Sequence, residues 1–177
     1  MDGVNKFLAT PEPPELGPGP RSGVQSEEEL SGKFQELFST AKLPAQKQQL
    51  LRALVLLWHD HLESAHVIAQ DIDTADGAFV HAIMHRREPD YGNAKYWFRR
   101  VGKHPAFGQL AKAVCTMLEQ SGNADLGRRL VLNNEWDAFA FVDACEKASG
   151  KNRQDELELR EIQRIETETL LDWLQTS

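Results

Sequence analysis

At 177 residues the chain is long enough for one domain with its own core. Its 20 Lys and Arg against 27 Asp and Glu give a formal charge of -7, which argues against a general nucleic-acid or anionic-membrane binder. The longest apolar stretch, Ala53 to Trp58, is far too short to cross a bilayer, and the N-terminus lacks a long apolar signal segment, so a soluble, cytoplasmic protein is expected.

Residues 1–25 hold five of the eight prolines, in a run from Pro11 to Pro20 that forms neither helix nor strand ladder. This predicts a disordered or polyproline-like tail ahead of a single domain over 26–177. Ser26 and Glu29 have capping-box spacing, and Leu30, Phe34, Leu37 and Phe38 continue as a helical stripe. Pro44 suits the first turn of a second helix. Its stripe Leu51, Val55, Trp58, Leu62, Ala65, Ala69 never slips, which predicts one long helix over about 44–70.

The segment Asp71 to Gly77 breaks that helix. A third helix, about 76–88, carries Phe79, Ala82 and Ile83 until Pro89 stops it. Asp90 caps a fourth, with Ala94, Trp97, Phe98 and Val101 as its packing face and Gly102 as its end. Trp97 and Phe98 are both expected in the core. Pro105 starts a fifth helix through Leu110, Val114 and Leu118. Asn133 or Asn134 is expected to cap another, through Trp136, Phe139, Ala140 and Val142, ended by Gly150. The last, about 154–174, buries Leu159, Ile162, Leu170, Trp173 and Leu174. No strand alternation stands out. The fold expected is all-α, with roughly six to eight helices in antiparallel hairpins, tetratricopeptide-like or an irregular bundle. Cys115 and Cys145 fall among apolar residues at helical spacing and read as small buried residues, not as a disulfide, zinc site or nucleophile.

The stretch Ala78 to Phe107, with Ala94-Lys-Tyr-Trp97-Phe98 as its packing face, resembles helical hairpins of the tetratricopeptide or Sel1-like kind, although no second copy follows at a fixed period. The strings His85-Arg-Arg-Glu-Pro-Asp-Tyr91 and Asn93-Ala-Lys-Tyr-Trp-Phe-Arg-Arg-Val-Gly102 are similar to a family of uncharacterised bacterial and fungal proteins. That similarity implies a shared helical domain and brings no activity with it.

All six histidines lie between His59 and His104, and residues 81–104 carry six Lys or Arg against two acids. His59, Glu63 and His66 share one helical face, and so do His81, His85 and Glu88. An antiparallel turn near residue 73 sets these faces level, so four imidazoles and two carboxylates could converge. Imidazole with carboxylate suits a divalent transition metal, and His66, His81, His85 and Glu63 are the candidate ligands. Glu63-Ser-Ala-His66 occurs once, too few for a di-iron bundle, and His81-Ala-Ile-Met-His85 lacks the zinc-protease glutamate.

Two rival readings use the same region. In one, His66 or His81 beside Glu63 does acid–base work while Arg86, Arg87 or Arg100 holds a carboxylate or phosphate. In the other, Tyr91, Asn93, Tyr96 and Arg100 form a binding surface. The blander expectation is that the histidines fill helix interfaces and the arginines pair with the chain's own acids, such as Asp71, Asp73 and Asp76. Taken together, the expectation is a binding protein with a polar pocket for a small anionic ligand or a partner segment. A metal-dependent or acid–base enzyme is the alternative.

Overall fold

Ser26 and Glu29 cap one another at the start of the first helix. The Ser26 backbone N–H and hydroxyl donate to Glu29 Oε2 at 2.8 and 2.9 Å, and the Glu29 N–H returns to Ser26 Oγ at 3.3 Å. In the computed structural model, which describes residues 3–40, 42–148 and 153–177, helix α1 (Glu27–Thr40) follows, then α2 (Ala45–Trp58) and α3 (Leu62–Ala69). The fold is all-α among the described residues, apart from one two-stranded ribbon. No helix among them is long and apolar enough to cross a membrane.

The single long helix expected over 44–70 is two helices. The chain breaks at 59–61, where Asp60 takes a left-handed φ of 66°. The break has an electrostatic reason. It turns the Asp60 carboxylate inward, where it accepts from the Arg21 guanidinium at 2.7 Å, the Arg21 backbone N–H at 2.9 Å and Arg87 at 2.6 Å. The apolar register runs on through the break because Leu62, Ala65 and Ala69 still face the core, so periodicity alone could not reveal it.

The N-terminal segment also departs from expectation, being docked where a disordered tail was predicted. Val4, Phe7 and Leu16 are buried, and the Phe7 ring lies 5.0 Å from Phe34. Polyproline-like backbone leaves its carbonyls free to accept, and side chains of the helical body use them. Arg160 donates to Pro13 O at 2.6 Å, and Gln163 donates to Pro14 O and Glu15 O at 3.2 and 3.0 Å. Trp58 Nε1 donates to Thr10 Oγ1 at 3.0 Å.

Thr74 caps α4 (Ala75–Arg87) by accepting from the Gly77 N–H at 3.0 Å. A Cβ at Gly77 would sit 2.2 Å from the Ile72 carbonyl oxygen, so this first turn tolerates only glycine. Asp90 caps α5 (Tyr91–Val101), and Gly102, at φ 62°, ends it. Next come α6 (Ala106–Gln120) and α7 (Ala124–Leu130); α7, capped by Asn123, was not anticipated.

Asn133 and Asn134 cap no helix. Both have positive φ, 53° and 63°, and they turn a hairpin between β1 (Val131–Leu132) and β2 (Glu135–Trp136). Asp137 instead caps α8 (Ala138–Ala148), accepting from the Ala140 N–H at 2.9 Å. The expected stop at Gly150 lies outside the described residues. Helix α9 (Arg153–Thr176) closes the chain. Helix α4 lies at the centre, buried from Gly77 to Arg87 and packed by α2, α3 and α5.

Candidate metal centre

A helix buried all round must find partners for each polar side chain it carries. On α4 this works out one residue at a time. Asp76 accepts from His104 Nε2 at 2.8 Å and from Trp173 Nε1 at 2.9 Å. Arg86, 1% exposed, donates to Glu166 through both terminal nitrogens and to Gln163 at 3.4 Å, with its guanidinium 4.3 Å from the Phe141 ring centre. Arg87, also 1% exposed, donates to Asp60 at 2.6 Å, to Gly17 O at 3.0 Å and to Leu57 O. Both guanidiniums are therefore committed inside the protein. Their acids are Glu166 and Asp60 rather than Asp71, Asp73 or Asp76.

His85 is also partnered. Its Nδ1 lies 3.2 Å from Glu88 Oε2, and the Asn93 amide nitrogen lies 3.1 Å from Nε2. With Nδ1–H donating to Glu88, Nε2 is left as the acceptor. Burial lowers the His85 pKa, against the opposing pull of Glu88.

Among the described residues, Arg86 and Arg87 each keep one unpaired nitrogen, Nε, whereas His81 is unpaired at both of its ring nitrogens. His81 is 3% exposed. One face stacks on Trp97 at 3.9 Å between ring centres. Beside it stand His85, at 4.8 Å, and His66 of α3, at 4.7 Å, while His66 and His85 are 5.4 Å apart. One nitrogen from each of the three lies within 4.8 Å of the others. Burial, reinforced by His85 and His66, pushes the His81 imidazole down to about 4, so it is neutral at pH 7 with its lone pair available.

Of the residues picked from the sequence, His66, His81 and His85 come together, with Glu88 and Asn93 on His85. Glu63 sits in the first turn of α3, exposed and outside the three-histidine group. His59 lies elsewhere. Its Nε2–H donates to Phe7 O at 2.8 Å and its Nδ1 accepts from the Gln25 N–H at 3.1 Å, so it pins the N-terminal segment. Tyr91 is half-buried against the core. Tyr96 is 48% exposed and meets Trp97 edge-on. Arg100 pairs with Asp73 at 2.6 Å and lies 5.2 Å from the Trp97 ring centre. Trp97, expected as core, is half-buried and walls the histidine group. The signal for this role was present in the sequence: Asn93, Trp97 and Arg100 share one face of α5 at i, i+4 and i+7.

Comparison with known protein families, curated proteins and solved structures finds no match.

Nitrogen ligands at about 2.0–2.1 Å from one ion lie roughly 3–3.5 Å from each other. The three imidazoles, within 4.8 Å of one another, would have to draw in by up to roughly 1–2 Å to share one ion. Two ligands one turn apart on α4 and a third from α3 form a tripod on rigid elements. Glu88 behind His85 is the type of outer carboxylate that fixes the ring and raises its basicity.

Proposed function

We propose that this protein binds a divalent transition metal ion through His66, His81 and His85. His81 carries the reading: a buried imidazole with no hydrogen-bond partner among the described residues, facing two further imidazoles. Leaving a buried polar group unpaired costs about 1–3 kcal/mol, and an ion coordinated by the ring offsets that cost. Neutral imidazoles are the form that ligates. All-nitrogen ligation suits zinc, with copper, nickel and iron as competitors ordered by affinity and supply. Coordination by His85 Nε2 exchanges the Asn93 amide for the ion while Glu88 keeps hold of Nδ1.

A site in which arginines grip an anion is not supported, because Arg86 and Arg87 are committed to Glu166 and Asp60. The test is calorimetric titration of tag-free protein with zinc. One ion per chain is expected. His66→Ala, at the most exposed of the three ligands, should weaken binding by more than the roughly 10–100-fold typical of losing an outer partner. Zinc uptake indifferent to His66→Ala would overturn the proposal.

A further inference from the structure

The three-histidine group leaves a tetrahedral ion one ligand short. Among the described residues, no fourth histidine, cysteine or carboxylate joins the group. Glu88 is engaged with His85 Nδ1 at 3.2 Å. His81 is walled by Trp97, and His85 is buried beside Glu88 and Asn93. His66, on α3, is the least buried of the three, so the group is nearest to solvent on the α3 side.

Charge decides what would arrive there. Three neutral imidazoles add no charge of their own to the ion; Glu88 and Asp90, which both act on His85, offset part of its double positive charge from the side away from His66. Arg86 and Arg87 are sealed in buried pairs, and Arg100 sits across the Trp97 ring, tied to Asp73. An anion approaching the group is therefore attracted by the ion itself rather than by an arginine clamp. We infer that an ion held by His66, His81 and His85 keeps one coordination position open on the His66 side and takes a small oxyanion there, a carboxylate or a phosphate. The inference rests on the metal-binding proposal above. Three protein nitrogens with an exchangeable fourth position is the arrangement of a zinc site that works on ligands, as opposed to one that only staples a fold.

The experiment substitutes cobalt(II), whose visible absorption reports coordination, and keeps the full chain. Tag-free protein is loaded with one equivalent of cobalt, then titrated separately with azide, acetate and inorganic phosphate. Each spectral change should saturate at one anion per ion, and the tighter of acetate and phosphate tells which oxyanion the site prefers. Cobalt bound at one per chain with a spectrum unmoved by all three anions would overturn the inference while leaving metal binding intact. The same holds if anions act only on Glu88→Gln or Glu63→Gln protein, because that carboxylate would then be the fourth ligand. Absence of cobalt uptake, with circular dichroism showing an intact fold, would remove the metal-binding proposal and this inference together.

Discussion

Acidification should destabilise the metal-free protein through His81, by an amount that can be worked out in advance. The imidazole falls from its ordinary 6.5 to about 4 in the folded protein, mainly because it is buried, with His85 and His66 adding to the effect. An unfolded chain accepts that proton near 6.5, whereas the folded one refuses it until near 4. The stabilising contribution is thus fully present above 6.5 and is lost as pH falls from there to about 4. At about 1.4 kcal/mol per pH unit over about 2.5 units, the full loss is roughly 3 kcal/mol. His85 and His59 are lowered in the same direction and add to the acid slope. Asp76, held low by its hydrogen bond from His104, loses its contribution only below the usual aspartate range and stays outside this window. His81→Phe keeps a flat ring against Trp97 and removes the titration. Urea denaturation in chelator at about pH 7 and about pH 4.5 should show wild type losing roughly 2 kcal/mol more stability than His81→Phe. Parallel losses in the two proteins would refute the burial argument.

Arg86 and Glu166 form a fully buried pair. Arg86→Met alone should cost about 3–5 kcal/mol by stranding the carboxylate, while adding Glu166→Leu should recover most of that loss, as read by denaturant midpoints. Phe7→Ala should cost about 3 kcal/mol and lower the melting temperature by roughly 6–12 °C, because Phe7 packs on Phe34 at 5.0 Å. A melting temperature unchanged by that substitution would mean that the N-terminal segment is not docked in solution.

The sequence carried the local decisions well. The Ser26–Glu29 box, the Asp90 cap and the Gly102 stop are read from neighbouring residues, and each is made by neighbouring residues. The histidine group was legible for the same reason. His81 and His85 are one turn apart on α4, and a hairpin near residue 73 brings His66 opposite them. What escaped is non-local or non-periodic. The Pro11–Pro20 run shows no burial pattern, yet α9 side chains collect its carbonyls from about 150 residues away. Arg86 finds Glu166 across 80 positions, so pairing with one of the chain's own acids could be expected but the partner could not be read from neighbouring residues. Asp60 breaks a helix whose apolar stripe continues unbroken across it. Asn133 and Asn134 suit a helix cap and a hairpin turn equally, and only the pairing of Val131 with Trp136 distinguishes the two.

Anomalous diffraction at the zinc edge, from crystals of tag-free protein grown with one equivalent of zinc, tests the central claim most directly. The account predicts one strong peak about 2.0–2.1 Å from a ring nitrogen of each of His66, His81 and His85. A peak on other side chains, or none at full protein occupancy, would contradict it.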